Sequence, residues 1–205
     1  MKNFKDKKIY LVTDHRLEFE SLLKKVREAL ESGVSLVQYR DKDVSTKVMV
    51  ERSKKIKDLC DEFNSIFLVN DRIDVALAVD ADGVHVGQDD MTCKEARKIL
   101  GSEKIIGVST KTLEESIKAF EDGADYLGCG AIYSTSTKDT SVISIEILKE
   151  IRDKVKLPVY GIGGIKLDNI TADLKANVDG VAVITAILDS KNIKETVNKF
   201  SEKFM

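Results

Sequence analysis

Gln38-Tyr39-Arg40-Asp41-Lys42 puts an amide and two cations directly after the apolar run Val34 to Val37. If that run is a strand, alternation of side chains sends Gln38, Arg40 and Lys42 to one face. A charge buried there without a partner would cost several kcal/mol, so an anion is expected beside it. Two further clusters, Asn70-Asp71-Arg72 and Gly87-Gln88-Asp89-Asp90, also follow apolar runs. Asp71 together with Asp89 or Asp90 supplies the one or two carboxylates that commonly hold Mg²⁺, whose remaining ligands are waters and substrate phosphate oxygens. The three clusters therefore read as a phosphate-plus-metal site. Plainer readings stand beside this one. The cations could form a salt-bridged rim, and Asp71 and Asp90 could be helix N-caps, for which aspartate is favoured.

Ser109 ends another apolar run, and Thr112 with Glu115 has the spacing of a capping box. Thr135-Ser136-Thr137-Lys138 offers hydroxyls and a lysine suited to phosphate oxygens. Gly161-Ile162-Gly163-Gly164-Ile165 and Ile184-Thr185-Ala186 suggest a second anion site, made by backbone that can approach a ligand closely. It is expected across from the first, which alone carries metal. His15 and His85 form no HExxH pair, and no GxSxG elbow or cysteine nucleophile motif is present. His85, within Gly83-Val84-His85-Val86, reads as an inward-facing structural residue. The chemistry expected is electrostatic rather than covalent.

The elements that must position these groups alternate along the chain. Strands are expected at Ile9–Thr13, Ser35–Tyr39, Ile66–Val69, Gly83–Val86, Ile105–Ser109, Tyr126–Cys129, Val159–Ile162 and Gly180–Ile184. Helical spacing links Leu22, Leu23, Val26, Ala29 and Leu30, then Leu113, Ile117 and Phe120, then Ile147, Leu148, Ile151 and Val155. A last helix is expected near Ile193–Phe204. Alternation of this kind implies parallel strands with right-handed crossovers. A weak repeat (Gly33-Val34-Ser35-Leu36, Asp80-Ala81-Asp82-Gly83, Gly123-Ala124-Asp125-Tyr126, Asn177-Val178-Asp179-Gly180) points to quarter-barrel units. The α/β class expected is a (β/α)8 TIM barrel, one domain over residues 1–205, rather than an open doubly wound sheet. In such a barrel, chemistry sits at strand C-termini, where the polar clusters fall.

Composition narrows the function. Charged residues make up 33% of the 205, yet nearly cancel to a net charge of -2, which argues against a nucleic-acid surface. No apolar run approaches the ~20 residues of a membrane span, and no secretory h-region follows the basic N-terminus. Cys60, Cys93 and Cys129 are scattered without a CxxC, which suits reduced thiols and a cytoplasmic location.

Seven segments in order closely resemble the thiamine-phosphate synthase family: Tyr10-Leu11-Val12-Thr13-Asp14, Val37 to Lys42, Val69-Asn70-Asp71-Arg72, Gly83 to Asp90, Gly107-Val108-Ser109, Thr135-Ser136-Thr137-Lys138, and Gly161 to Ile165. The resemblance covers roughly Ile9 to Leu188. It implies a (β/α)8 transferase of thiamine biosynthesis that joins hydroxymethylpyrimidine pyrophosphate to a thiazole phosphate and requires Mg²⁺. Its reaction would be dissociative, pyrophosphate leaving before the thiazole nitrogen captures the pyrimidine carbocation. By resemblance, Gln38, Arg40, Lys42, Asn70, Ser109 and Lys138 hold the pyrimidine pyrophosphate, and Asp71 and Asp90, not Asp89, are the Mg²⁺ ligands. Thr135, Ser136, Thr137, Gly164, Ile184 and Thr185 match the thiazole-phosphate side. Arg40, Lys42, Lys138 and Ser109 are the implied catalytic groups. Small-molecule substrates are the partners expected, without nucleic acid or membrane, and a homo-oligomer is left open.

Departures from the family pattern lie mainly after strand 6, where Gly130-Ala131-Ile132-Tyr133-Ser134 lacks the usual prolines and the stretch Lys138 to Ile145 is slightly short. Lys111 stands where a histidine is common, and Thr185 where serine is usual. Two alternatives follow: a thiazole tautomerase-like isomerase, which generally lacks the Gln-x-Arg-x-Lys and Asn-Asp sets, and a non-catalytic ligand-binding or regulatory barrel.

Overall fold

A computed structural model describes residues 4, 6–134 and 141–204 of the chain. Eight parallel strands run β1 (Ile9–Val12), β2 (Leu36–Tyr39), β3 (Ile66–Asn70), β4 (Gly83–Val86), β5 (Ile105–Thr110), β6 (Tyr126–Gly130), β7 (Val159–Ile162) and β8 (Gly180–Val183). They pair in sequence order and close through β1 and β8, giving the expected (β/α)8 barrel. Around it lie α1 (Phe19–Glu31), α2 (Thr46–Glu62), α3 (Ile73–Ala78), α4 (Cys93–Leu100), α5 (Leu113–Glu121), α6 (Ile145–Lys154) and α7 (Ala172–Asn177). A short α8 (Thr185–Leu188) precedes the closing α9 (Ile193–Lys203).

Strand alternation divides the core. Ile9, Leu11, Val37, Phe67, Val69, Val84 and Leu127 face the helices. Tyr10, Val12, Leu36, Ile66, Leu68, Ile105, Tyr126, Tyr160 and Ala182 fill the barrel interior. Large interior rings are accommodated by glycine on a neighbouring strand. Gly107 pairs with Tyr126, and a Cβ there would lie 2.0 Å from the Tyr126 Cζ. The interior thus holds tyrosines where most barrels stack aliphatic groups, and this places phenol hydroxyls beneath the mouth.

The repeat has a physical basis. Asp82, Asp125 and Asp179 each precede a strand and accept the backbone N–H at or next to the start of the previous one: Phe67 (2.8 Å), Ile106 (2.7 Å) and Val159 (2.8 Å). A carboxylate so satisfied ties β3 to β4, β5 to β6 and β7 to β8 at the barrel bottom.

One helical expectation is corrected. Ile117 and Phe120 are 37% and 48% exposed, and α5 buries Ser116 and Ala119 instead. The small residues let α5 approach the barrel closely, and Ser116 Oγ donates to Thr110 Oγ1 at 2.9 Å.

Candidate active site

The C-terminal mouth of the barrel holds a cavity of about 360 Å³. Gln38, Arg40, Lys42, Asn70, Asp71, Asp90 and Ser109 all line it, from β2 to β5 and the loops that follow. Shared strand alternation does not explain the first three, because β2 ends at Tyr39. Gln38 points inward from the strand and is 3% exposed. Arg40 and Lys42 reach the cavity from the loop. That loop is pinned by Thr13, whose Oγ1 accepts from the Arg40 N–H at 2.9 Å. Asp41 turns away to accept from Arg52 Nη1 at 2.8 Å. The salt-bridged rim holds for Lys42 alone, whose Nζ lies 3.0 Å from Asp71 Oδ2. Among the described residues, the Arg40 guanidinium has no carboxylate partner.

Asp71 and Asp90 are not helix caps. Arg72 occupies the N-cap of α3 without a side-chain bond, and Thr92 caps α4 by accepting from the Glu95 N–H at 3.3 Å. Asp71 instead adopts a left-handed backbone, φ 60°, and donates its N–H to the His85 carbonyl at 2.8 Å. Asp90 Oδ2 accepts the Gly87 N–H at 2.8 Å. Burial pushes the Asp71 carboxyl above its ordinary range, the Lys42 hydrogen bond opposes this, and the neighbouring Asp90 pushes it further up. Two acidic groups crowded together in a partly buried cavity fit a hard divalent cation that would relieve their repulsion. Among the described residues no group of three or more His, Cys, Asp or Glu could hold a metal. A pair of carboxylates is the donor set that would suit a Mg²⁺ ion completed by waters and phosphate oxygens. Asp89 also lines the cavity, but Asp90 is the carboxylate acting on Asp71.

Beneath these charges runs a chain of buried hydrogen bonds that the sequence does not announce. Gln38 Nε2 donates to the Tyr10 hydroxyl. Tyr10 and Tyr126 hydroxyls are 2.8 Å apart, and Tyr126 lies 2.8 Å from His85 Nδ1. His85 Nε2 lies 2.8 Å from Ser109 Oγ. Burial pushes both phenols well up, so they stay protonated. His85 does face inward, as expected, but it belongs to the floor of the cavity. Gln88, from the expected Gly87–Asp90 cluster, lines the cavity as well, and Lys111 and Glu115 are lining residues beyond those expected. The capping box at α5 is half formed. Thr112 Oγ1 accepts the Glu115 N–H, while the Glu115 carboxylate takes the N–H of Lys111 rather than of Thr112.

A second space of about 220 Å³ is lined by Gly163, Gly164, Ile184 and Thr185. It shares Ile162, Ala182 and Ile184 with the first, so the two meet rather than stand apart. Gly164 has φ 62°, and a Cβ there would lie 2.4 Å from the Ser134 carbonyl oxygen, which leaves glycine as the residue that fits. Ile184 precedes α8 without any capping side chain, so the first N–H groups of that turn keep their donor capacity. Thr135, Ser136, Thr137 and Lys138 lie outside the described residues. The thiols offer no nucleophile. All three cysteines are buried and none is in a disulfide, and burial pushes the Cys93 and Cys129 thiols up to about 11. No described helix is long and apolar enough to cross a membrane.

Comparison with known proteins places this geometry. The family model described as thiamine monophosphate synthase matches residues 9–187. The chain is 52% identical to a thiamine-phosphate synthase of Clostridium perfringens (strain 13 / Type A), over 98% of this chain and 97% of that protein. It is 50% identical to a thiamine-phosphate synthase of Methanosarcina barkeri (strain Fusaro / DSM 804), over 93% and 87%. Among solved structures, a thiamine phosphate pyrophosphorylase from Pyrococcus furiosus superposes with a TM-score of 0.89 at 41% identity, over 98% of each chain. The model match over residues 9–187, with relatives about half identical over more than nine-tenths of the chain, means that this chain belongs to the thiamine monophosphate synthase family.

Proposed function

We propose that this barrel is a transferase of thiamine biosynthesis that joins hydroxymethylpyrimidine pyrophosphate to a thiazole phosphate, giving thiamine phosphate and pyrophosphate. The observation that carries this reading is the meeting of two spaces. One is lined by Arg40, Lys42, Asp71 and Asp90, and the other by Gly163, Gly164 and Thr185. A pyrophosphate leaving group fits the cations and carboxylate pair of the first and a phosphate monoester fits the second, with the reacting ends where they join.

The bond from the pyrimidine methylene carbon to pyrophosphate oxygen breaks with its electron pair going to the pyrophosphate. The thiazole nitrogen then donates its lone pair to that carbon, and the positive charge ends on the thiazolium ring. Negative charge builds on the departing group, so cations already in place stabilise it without reorganisation. Arg40, lacking a carboxylate partner among the described residues, is the fork that can take two phosphate oxygens. Lys42, held by Asp71, presents a point charge. Asp71 and Asp90 would hold Mg²⁺, which supplies charge neutralisation to the pyrophosphate when bound. Gln38, Asn70 and Ser109 would orient the pyrimidine, and Lys138 with Thr135, Ser136 and Thr137 would add further contacts to the phosphates. Gly164, Ile184 and Thr185 would seat the thiazole phosphate.

Titration calorimetry with pyrophosphate tests the site directly. Binding that requires Mg²⁺ is expected. No binding with or without Mg²⁺ would favour the tautomerase-like alternative, which has no use for this acidic and basic constellation.

A further inference from the structure

The hydrogen-bond chain under the cavity has a direction. Each phenol carries one proton, so a bond received at one end forces a bond given at the other. Gln38 Nε2 donates to Tyr10, so Tyr10 donates to Tyr126, Tyr126 donates to His85 Nδ1, and His85 Nε2–H donates to Ser109 Oγ. Two groups remain for a ligand. Gln38 is left with its carbonyl Oε1, an acceptor without a protein partner among the described residues. Ser109 is left with its hydroxyl proton, a donor. Both residues line the cavity, whereas Tyr126 does not. The reverse order is also complete: Ser109 would donate to His85 Nε2, and Gln38 would turn its amide N–H toward the ligand. The two orders present opposite patterns to the same ring.

We propose that the Tyr10–Tyr126–His85 chain sets the donor and acceptor order that Gln38 and Ser109 present, and so selects a pyrimidine bearing an amino group over its oxo counterpart. This rests on the reading of the site as one for a pyrimidine pyrophosphate. An amino substituent donates to Gln38 Oε1, and a ring nitrogen accepts from Ser109. An oxo substituent faces Gln38 with a second acceptor, and its neighbouring ring N–H meets a donor. Buried polar groups left unpaired in this way are what give hydrogen-bonding sites their strong discrimination. His85 and Tyr126 are positioning residues in this account, since neither needs to touch the reacting atoms. Gly107 belongs to the device as well, because only a residue without a side chain leaves room for the Tyr126 ring.

The test has two arms. The chain has only two histidines, so ¹⁵N NMR of histidine-labelled protein reads the His85 tautomer with His15 as the single competing signal. Protonated Nε2 with unprotonated Nδ1 is expected, and the opposite tautomer would overturn the proposal without any variant. In the second arm, Tyr126→Phe removes the hydroxyl that fixes the direction while leaving both ligand-facing groups. The preference for amino- over oxo-pyrimidine pyrophosphate, read as a ratio of kcat/KM, should fall about tenfold, with the KM for thiazole phosphate unchanged. A folded variant that keeps the wild-type ratio would overturn the proposal, since a merely structural hydroxyl would shift Tm and leave the ratio alone. Absence of turnover of either pyrophosphate by the wild type would instead refute the functional reading, with the tautomer still deciding the direction of the chain.

Discussion

Lys42 Nζ sits 3.0 Å from Asp71 Oδ2, which joins the cation of the β2 loop to the carboxylate at the end of β3. The pair bridges two roles that the sequence presents separately, one for the anion and one for the metal. Lys42→Ala should therefore do more than remove one phosphate contact, because it leaves Asp71 and Asp90 facing each other without a cation. Turnover is expected to fall about 100-fold or more, as for other groups that stabilise developing charge. Lys138→Ala should cost a similar factor. Steady-state kinetics at saturating substrates would show it, and a near-wild-type kcat for either variant would remove that lysine from the charge-stabilising set.

The metal assignment separates three adjacent carboxylates. Asp71→Asn and Asp90→Asn should each weaken Mg²⁺-dependent pyrophosphate binding by about 2 kcal/mol, roughly thirtyfold. Asp89→Asn should leave it within about twofold, as for a solvated charge. Calorimetry on the three variants decides the matter, and a large loss confined to Asp89→Asn would reverse the assignment.

Gly107→Ala tests the packing that supports the floor of the site. Its new methyl would overlap the Tyr126 ring, so the ring or the strand must move. Overpacking of this kind costs about 1–3 kcal/mol, which thermal unfolding would register as a lower Tm. An unchanged Tm would mean that the interior is looser than the contact implies.

Asp14 gives a pH dependence of known sign. Its carboxylate is buried, 4% exposed, and accepts from Arg16 Nε at 2.9 and 3.1 Å. The Arg16 hydrogen bonds hold the carboxyl below its usual range, against the opposing effect of burial. A depressed folded-state pKa contributes stability above the unfolded value of about 3.9, and that contribution is lost as pH falls through the folded value. Asp14→Asn should therefore be less stable than wild type at neutral pH, with the gap closing in acid. Urea midpoints across the acid range would show the two curves converge, and a gap that is constant with pH would assign the loss to shape rather than charge.

Much of this was legible in the residues, for identifiable reasons. Barrel strands are buried on both faces, so each reads as a compact apolar run, and all eight expected strands match the observed ones to within a residue at either end. The repeated Asp before β4, β6 and β8 was visible as a pattern because it performs one bond three times. Strand alternation would put Arg40 and Lys42 on the face of Gln38; they line the same cavity but reach it from the loop, since one residue of strand length decides whether alternation applies. Ile117 and Phe120 misled for a related reason: helical period marks a face, but Ser116 and Ala119 set how closely α5 can lie. The hydroxyl chain could not be read at all. Tyr10 and Tyr126 are 116 positions apart and meet only because the sheet closes on itself.

The central claim is the reaction, and the product tests it most directly. The purified protein mixed with hydroxymethylpyrimidine pyrophosphate, thiazole phosphate and Mg²⁺ should yield thiamine phosphate by mass spectrometry, with pyrophosphate released in equal amount. Failure to form thiamine phosphate from both substrates with the metal present would contradict the account.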